Sequence, residues 1–434
     1  MYKKYYEVTS LRDRLYLRNF LLVMEVNHTI SFENTAYAFA YKKNIELKKA
    51  YFLFSIMGKP WLVNLGLKFT PLAIKWKLPF TTPIIKNTIF QQFVGGETLA
   101  ETATVAKKLG EYNVEVILDY GVEGGDDGEH GFDHSTQEFI RVINYAATQP
   151  NIPFISIKVT GFTRFELLQK IDLLMHANNG SLMKRYTAAI ENLSNTELQE
   201  WKKVKDRLLN ICDVAAAKKI GVLVDAEESW IQDPVDALTI LMMDTFNKDR
   251  VVVYNTIQLY RHDRFKFLQD SYEAAVERNF ILGAKLVRGA YMEKERRRAE
   301  EMNYASLIQT DKYSTDKDYN ASVHFCIEHL NTIAVIIASH NEQSNLLATE
   351  LLQQKDIALN HPHVHFSQLY GMSDNITFNL AKAGCSVSKY LPFGPIKDVI
   401  PYLMRRAQEN SSVSGQTGRE LGLIKLELAR RKIN

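Results

Sequence analysis

The sequence predicts an α/β protein, a (βα)8 TIM-like barrel with a helical N-terminal region. Two patterns predict this fold class. Short apolar runs such as VEVIL, VVVY and IAVIIA are typical of strands buried on both faces of a parallel sheet. A helical pattern follows each run, as in repeated βαβ units. Eight such runs favour a closed barrel over an open sheet, and they are Phe90–Val94, Glu115–Tyr120, Phe154–Thr160, Gly221–Ala226, Val251–Tyr260, Ala284–Ala290, Ile333–His340 and Val364–Leu369.

The elements around these strands follow from local signals. Residues 1–85 contain no series of strands and are predicted to form the helical N-terminal region, with one helix over Ile45–Met57. Residues 86–434 are predicted to form the barrel, which carries a helical insertion at about 161–220. Thr98 and Glu101 have the spacing of a capping box, and the helix they begin is predicted to end at Gly110.

Composition excludes several classes of protein. The chain has 434 residues, of which 46% are hydrophobic and 24% are charged, so it can bury a large core and is not mainly disordered. A net charge of +3 does not indicate a basic nucleic-acid-binding surface. Three scattered cysteines are too few for a disulfide framework, which favours a cytoplasmic compartment.

No metal site and no membrane span are predicted. His130 and His134 lack a third ligand at metal spacing. No uncharged apolar run reaches the 18 or so residues that a membrane helix needs, although peripheral contact with a membrane remains open. Neither GxGxxG nor GxxxxGK[ST] occurs, so a Rossmann site and a P-loop are not supported. The glycine-rich acidic segment 121–134 is predicted to be a loop over the barrel mouth, or a plain solvated loop.

Polar residues gather where the apolar runs stop. In a barrel of this kind the chemistry lies at the carboxyl ends of the strands. Helix N-caps account for some of these residues, so the pattern alone predicts a barrel enzyme and no particular reaction. The strand-end residues include Asp119, Lys158, Asp225, Gln258, Lys285, Arg288, Ser339 and His340.

The last predicted helix, from Pro395 to about Ser411, carries two stripes. One is apolar and faces the core, and the other consists of Tyr402, Arg405, Arg406 and Glu409 at helical spacing. Glu409 follows the two arginines by four and three residues and can brace both guanidinium groups. Two arginines held in this way can bind a carboxylate through paired hydrogen bonds. The alternative is a solvated helix face.

Several strings together resemble the proline dehydrogenase family, flavin-dependent enzymes of proline catabolism. They run in the family's order from about residue 90 to 413. The opening ISFENTAYAFAYK is similar to the start of short one-domain bacterial members, which would make residues 1–28 an extension. The matching strings are LDYGVEG, LVDAEES, NTIQLYRHDR, AKLVRGAYMEKER, TDKDYN, ASHNEQS, QLYGMSD and YLPFG followed by YLMRRAQENSS.

The resemblance implies a barrel that binds FAD without a Rossmann motif. It implies oxidation of L-proline to Δ1-pyrroline-5-carboxylate, with electrons passed to a membrane quinone. The protein would then be cytoplasmic with peripheral contact at the inner membrane. A separate pyrroline-5-carboxylate dehydrogenase would consume the product, and no nucleic acid would be bound.

The resemblance also implies roles for individual residues. Asp119 and Lys285 would be catalytic, with Lys285 beside the flavin where many members have arginine. Lysine keeps the charge but loses the fork geometry. Arg405 and Arg406 would clamp the substrate carboxylate, held by Glu409. Substrate would also contact Tyr390, Leu369, Tyr402, Tyr291 and Lys86. FAD would contact Gln258, Lys285, Arg288, Gly289, Ala290, Ser339 and His340.

Three other functions remain open at this point. A hydroxyproline dehydrogenase would need room and a polar partner for the ring hydroxyl, and Tyr390 is expected to fill that space. A Schiff-base aldolase would use Lys158 or Lys285 as a desolvated nucleophile. A binding protein could retain the barrel without turnover.

Overall fold

Eight parallel strands close into a barrel in this computed structural model, which describes residues 30–76, 81–121, 128–412 and 416–433. Each strand pairs with the next one along the chain, and the eighth pairs with the first. The predicted fold class is therefore confirmed. The strands are β1 (Glu115–Tyr120), β2 (Phe154–Ile157), β3 (Gly221–Val224), β4 (Val253–Gln258), β5 (Leu282–Val287), β6 (Ile333–Ala338), β7 (Val364–Leu369) and β8 (Val387–Phe393).

The strands form because their side chains are buried on both faces. The four residues of β3 and the six of β4 are all buried. Inside the barrel Ile117, Leu223, Tyr254 and Ile336 pack in one apolar cluster. Side chains two residues apart point to the same side of a strand. The residues that follow this cluster by two positions therefore also point into the barrel, nearer its carboxyl end.

Helices precede the barrel and connect its strands. The segment between β2 and β3, where a helical insertion was predicted, contains three helices, α8, α9 and α10. The helices are α1 (Thr35–Ala38), α2 (Asn44–Met57), α3 (Pro60–Lys75), α4 (Thr81–Ile85), α5 (Gln91–Phe93), α6 (Leu99–Gly110), α7 (Gly128–Ala146), α8 (Phe165–His176), α9 (Leu182–Glu191), α10 (Asn195–Lys218), α11 (Ser229–Phe246), α12 (Arg264–Arg278), α13 (Met292–Glu301), α14 (Lys312–Glu328), α15 (Glu342–Gln354), α16 (Asp374–Lys382), α17 (Ile396–Ser412) and α18 (Gln416–Arg430).

Several predictions from local sequence signals are confirmed. Helix α2 matches the helix predicted over Ile45–Met57, and α6 runs to Gly110 as expected. The Thr98 hydroxyl accepts a hydrogen bond from the backbone N–H of Glu101. The Glu101 carboxylate accepts from the N–H of Glu97 rather than Thr98, so only half of the predicted capping box forms as written.

The strand predicted over Phe90–Val94 was wrong. This segment continues a helical stretch, from α4 through a π-helical turn at Lys86–Phe90 into α5. Phe90 and Phe93 are three residues apart, so a helix directs both into the same cluster, where the Phe93 ring packs edge-on against Phe54 with centroids 6.2 Å apart. The apolar run was thus a buried helix face, a confusion that short runs invite.

The true eighth strand, β8, was missed by sequence reasoning. It carries Lys389 and Pro392, which do not look like parts of a buried strand. Lys389 is nevertheless fully buried. Its ammonium lies 2.9 Å from an Asp374 carboxylate oxygen and donates to the Met372 carbonyl at 2.5 Å. Because that charge is paired and hydrogen-bonded, the strand tolerates it.

The loop predicted over residues 121–134 is helical from Gly128 onwards, where α7 begins. That part of the prediction was wrong, and residues 122–127 lie outside the described residues, as does the extension at 1–28. The long amphipathic pattern after Gly128, with Phe132, Phe139 and Ile143 buried on one side, explains the helix. Among the helices of the described ranges, none has the length and apolar character needed to cross a bilayer.

Candidate active site

A layer of charged and polar side chains lies at the carboxyl end of the barrel, just above the apolar cluster. Lys285 on β5 forms an ion pair with Asp225, which directly follows β3. The Tyr390 hydroxyl on β8 donates to Asp225 Oδ2 at 2.7 Å and lies 3.2 Å from Ser156 Oγ on β2. The Lys285 ammonium is 5.3 Å from the centre of the Tyr390 ring. Four strands thus meet in one hydrogen-bonded group.

The two aspartates of this layer differ in electrostatics. Burial raises the pKa of Asp119, and the Asp225 charge adds to the rise against the opposing charge of Lys158. Burial also acts to raise the pKa of Asp225, but the charges of Lys285 and Lys158 outweigh it and hold that pKa below its usual range. Asp225 is therefore the firmly ionised member, and Asp119 is the carboxyl that protonates more easily.

Lys158 follows β2 and keeps its charge. Burial acts to lower the pKa of Lys158, but the charges of Asp119, Asp225 and Glu227 raise it overall. Glu227 itself has its pKa raised to about 7 by burial, although it accepts a hydrogen bond from the Thr160 hydroxyl at 2.6 Å. A lysine with a raised pKa is a poor nucleophile, which argues against a Schiff base at Lys158.

The stripe on α17 faces the strand ends. Arg406 is buried, donates to Glu409 Oε1 at 2.5 Å and lies over the Tyr402 ring with its guanidinium carbon 5.2 Å from the centroid. Burial raises the pKa of Glu409, while Arg406 and Arg405 both oppose the rise, so both guanidinium groups are close to this carboxylate. The stripe is not a solvated face.

Electrostatic contacts place the same stripe over the mouth. Burial raises the pKa of Tyr291, which caps the amino end of α13, and the charges of Lys158 and Arg405 oppose that rise. Burial likewise raises the pKa of Tyr402, with Arg406 opposing and Asp119 adding to it. Side chains from α17, α13 and the first two strands therefore share one site.

A second group of polar contacts follows β5 and β6. Arg288 donates to Asp316 Oδ1 at 2.8 Å, to Ser339 Oγ at 2.7 Å and to Ser344 Oγ at 3.0 Å. Its guanidinium carbon lies 4.3 Å from the centre of the Tyr319 ring. These contacts fix a cation at the rim of the barrel, beside the exposed backbone of Gly289 and Ala290.

His340 is held uncharged beside this group. Burial lowers the pKa of His340 to about 3, and the charges of Lys389, Arg406 and Arg288 act in the same direction. Its Nδ1 shares a hydrogen bond of 2.9 Å with Ser373 Oγ. The influence of both Arg406 and Arg288 on one imidazole shows that the α17 stripe and the Arg288 group are neighbours.

Buried polar atoms without partners mark where a ligand would fit. Gln258 is buried on β4 and donates to the Glu227 carbonyl at 3.0 Å, yet its Oε1 has no hydrogen-bond partner within the described part of the chain. The same holds for the Tyr402 hydroxyl and for Arg406 Nε. Unpaired buried polar atoms are rare in folded proteins and call for an explanation. Donors and acceptors of this kind fit a polar, planar, multi-ring cofactor and an anionic substrate.

The last two predicted residues, Leu369 and Lys86, differ in how they relate to the site. Leu369 ends β7 and pairs in register with Tyr390, at the rim of the same site. Lys86 is about half exposed and its ammonium lies 2.5 Å from Glu97 Oε1. Glu97 follows Gly95 and Gly96, whose backbone bonds to the end of β8. Lys86 therefore reaches the rim only through its acidic partner.

A further cluster could hold a cation by spacing alone. Asp172, His176 and Asp233 present ligand atoms within 4.8 Å of one another. Arg185 already donates to Asp233 at 2.7 Å, so this carboxylate has a cation from the chain. Burial, with the Asp233 charge adding to it, raises the pKa of Asp172 to about 8, while Arg261 and Arg185 oppose the rise. We assign no metal there.

Asp225 is the main residue that sequence reasoning left without a role. It stood among the polar strand ends, but its partners Lys285 and Tyr390 are distant in sequence. The available signal was its position directly after a buried strand, two residues beyond Leu223 of the apolar cluster.

The chain is similar to known proteins over most of its length. A family model described as proline dehydrogenase matches residues 102–419. The chain is 32% identical over 387 residues to "Proline dehydrogenase 1, mitochondrial" of Dictyostelium discoideum, covering 82% of this chain and 67% of that protein. It is 32% identical over 368 residues to "Hydroxyproline dehydrogenase" of Xenopus laevis, covering 81% and 79%.

Solved structures are similar in fold. The crystal structure of proline utilization A (PutA) from Bdellovibrio bacteriovorus, inactivated by N-propargylglycine, superposes with a TM-score of 0.67 at 19% identity. The match covers 96% of this chain and 44% of that one, so the chain spans less than half the length of that PutA.

Proposed function

The chain belongs to the proline dehydrogenase family, and we propose that it oxidises L-proline to Δ1-pyrroline-5-carboxylate with FAD as the hydride acceptor. Arg406 carries the proposal. Its guanidinium is buried at the barrel mouth, and its Nε has no partner among the described residues. A buried cation with an open donor favours an anionic ligand, because an unmade hydrogen bond to a charged group costs free energy. The one anionic group of L-proline is its carboxylate.

Arg405 and Arg406 would bind that carboxylate together. Planar guanidinium forks match a planar carboxylate and fix its orientation as well as its position. Glu409 offsets one of the two positive charges and keeps Arg406 in place at 2.5 Å. The three groups carry one net positive charge, which a single carboxylate neutralises.

Four side chains would enclose the substrate ring. Tyr390 and Leu369 would pack on it from the strand ends, and Tyr402 and Tyr291 would line the remaining walls. The Tyr390 ring is fixed by the bonds of its hydroxyl to Asp225 and Ser156, so its position is set before substrate arrives. Such preorganisation holds the reacting carbon at a defined place. Lys86, paired with Glu97, would act at most from the rim.

A proton must leave the substrate before the ring is oxidised. The lone pair of the ring nitrogen forms the new C=N bond as hydride leaves the neighbouring carbon, so the nitrogen must first be unprotonated. We assign this proton to Asp119, whose raised pKa makes it the better base of the two mouth aspartates. Asp225 stays with Lys285 and does not exchange protons.

The residues present fit a flavin. Bound FAD would supply the two-electron acceptor that no side chain can provide. Lys285 would place a positive charge beside the ring, and His340, neutral because of its lowered pKa, would offer a hydrogen bond without adding charge. The residues proposed to hold FAD are Gln258, Lys285, Arg288, Gly289, Ala290, Ser339 and His340.

The proposal extends to the fate of the electrons and of the product. The electrons would pass to a membrane quinone, and the protein would be cytoplasmic, in peripheral contact with the inner membrane. The product would be taken by a separate pyrroline-5-carboxylate dehydrogenase. The family resemblance supports both statements.

An anaerobic visible spectrum of the purified protein tests the central proposal. We expect flavin absorbance that bleaches when L-proline is added. A colourless protein, or a yellow one whose spectrum L-proline leaves unchanged, would contradict it. Trapping of a carbonyl substrate by borohydride in colourless protein would instead support the aldolase alternative.

Hydroxyproline is the second candidate substrate, since one relative carries the name hydroxyproline dehydrogenase. The fixed Tyr390 ring occupies the space that we expect a ring hydroxyl to need, which favours proline. Turnover of L-proline and hydroxyproline measured side by side decides between them. Faster turnover of hydroxyproline would reverse our preference.

A further inference from the structure

Helix α3 presents an apolar face to solvent. Trp61, Leu65 and Phe69 are 66%, 50% and 59% exposed. They are spaced by four residues, which places them along one side of the helix. Exposed hydrophobic side chains are usually scattered singly, and a row of large ones indicates a surface that is covered in use.

Neighbouring segments add to this surface. On α2, Ile45 and Phe52 are exposed and lie seven residues apart, with the exposed Lys48 and Lys49 between them. Helical periodicity places all four on one side of α2. Trp76, directly after α3, and Ile84, in α4, are exposed as well.

The charge of this region differs from the charge of the rest of the chain. Residues 44–97 contain seven lysines, no arginine and two acidic residues, Glu46 and Glu97, a net charge of +5 in a chain whose total is +3. The remainder of the protein is therefore net negative. Lys68 lies within the α3 face and is exposed. The surface thus combines large apolar side chains with unbalanced positive charge.

We propose that the α3 face, defined by Trp61, Leu65, Lys68 and Phe69, docks on an anionic lipid bilayer, an inference that rests on the membrane contact of the proposed function and assigns it a surface. Tryptophan and phenylalanine insert at the boundary between headgroups and acyl chains, and lysines beside them pair with anionic headgroups. A helix of 16 residues lies along such a surface and does not cross it. Protein interfaces are enriched in arginine and depleted in lysine, so a segment with seven lysines and no arginine favours lipid over a second protein.

Binding to vesicles tests this proposal. The full-length protein is mixed with vesicles that contain phosphatidylglycerol, or with vesicles of phosphatidylcholine alone, and sedimented. We expect binding to the anionic vesicles and a partition coefficient lower by about a hundredfold on phosphatidylcholine, since each lysine near an anionic surface adds to the attraction.

A triple variant isolates the apolar face. Trp61→Gln, Leu65→Gln and Phe69→Gln together should reduce partition onto anionic vesicles by about a hundredfold or more, because three large side chains no longer enter the bilayer. The matched control is Leu173→Gln, Val276→Gln and Tyr313→Gln, three exposed hydrophobics on α8, α12 and α14. We expect this control to bind as the unaltered protein does.

Three results would overturn the proposal. The first is failure of the unaltered protein to bind anionic vesicles, and the second is equal binding by the triple variant. The third is a concentration-dependent dimer, seen by sedimentation velocity without lipid, that the triple variant abolishes while vesicle binding persists. Bleaching of the flavin by L-proline, recorded on the same preparations in detergent-free buffer, reports separately on the proposed oxidation.

Discussion

The two layers inside the barrel lie two residues apart on the same strands and have opposite chemistry. Ile117 and Leu223 belong to the apolar cluster, whereas Asp119 and Asp225, the next inward positions on β1 and after β3, belong to the charged layer. The apolar layer stabilises the barrel by excluding water and by close packing. The charged layer needs paired ions and hydrogen bonds merely to offset its desolvation. A polar layer of that cost is expected where a protein acts on a ligand.

The largest effect is expected at the mouth, from Arg406→Met. The variant should lower kcat/KM for L-proline by about a thousandfold, because a buried charged partner of the carboxylate is lost, and should retain flavin. Steady-state kinetics and the flavin absorbance of the purified variant check it.

The control for this variant is Arg141→Met. Arg141 on α7 donates to Glu138 at 2.6 Å with the same three-residue spacing as the pair of Arg406 and Glu409, but it is exposed. Its loss should leave kcat/KM unchanged. Equal kinetics for both variants would remove the carboxylate role from Arg406.

A substitution in the apolar layer should lower the stability of the protein and leave its kinetics nearly unchanged. Leu223→Ala leaves a cavity in a fully buried cluster and should lower the free energy of unfolding by about 3 kcal/mol. The KM for L-proline should change little, because the mouth side chains keep their partners. Urea unfolding and kinetics on the same sample separate the two layers, and a large rise in KM without a loss of stability would show that they are not separable.

The next prediction concerns the effect of pH on His365, which lies near the amino end of β7, away from the barrel mouth. Burial lowers the pKa of His365 from 6.5 to about 3, and its Nδ1 lies 3.6 Å from Glu115. Between these two pH values the unfolded chain binds a proton that the folded protein does not. The contribution of neutral His365 to the free energy of unfolding is therefore fully present above pH 6.5 and decreases as the pH drops.

His365→Gln should reduce the slope of the free energy of unfolding against pH by up to about 1.4 kcal/mol per pH unit. Unfolding by urea at pH 5 and at pH 8 measures it. The exposed His324, replaced by glutamine, serves as the control and should leave the slope as it is. An unchanged slope for His365→Gln would show that this imidazole is not a source of acid sensitivity.

The smallest effect is expected from Tyr390→Phe. The ring remains, but the hydrogen bonds to Asp225 and Ser156 are lost. We expect KM for L-proline to rise by about fivefold, because the ring loses the bonds that fix its orientation, an effect of about 1 kcal/mol, the net value of a typical hydrogen bond. Tyr313→Phe, at an exposed tyrosine, is the control, and a rise of a hundredfold would indicate a direct contact between the hydroxyl and substrate.

The fold was predictable wherever burial and residue type agreed. Strands β3 and β6 contain no polar side chain, and this apolar character is what predicts them from the sequence. Phe90–Val94 was predicted as a strand and β8 was missed, which shows the limit of prediction from the sequence. Lys389 in β8 is buried only because Asp374, fifteen residues earlier, supplies its counter-ion, and a sequence does not display that pairing.

The site was predictable in part for a similar reason. Helical spacing alone placed Tyr402, Arg405, Arg406 and Glu409 on one stripe. The direction of that stripe and the partner of Lys285 depended on tertiary contacts. Asp225 sits sixty residues from Lys285 in the chain, and only barrel closure brings the two together.

The pairing of β1 with β8 also bears on synthesis and folding. The strand that completes the cylinder is the last of the eight to leave the ribosome. Until then β1 exposes an unpaired edge, a template for pairing with other chains. Contacts between such distant segments form slowly, because a long loop must be ordered first. A nascent or truncated chain that stops before Val387 would therefore be prone to aggregate and would depend on chaperones.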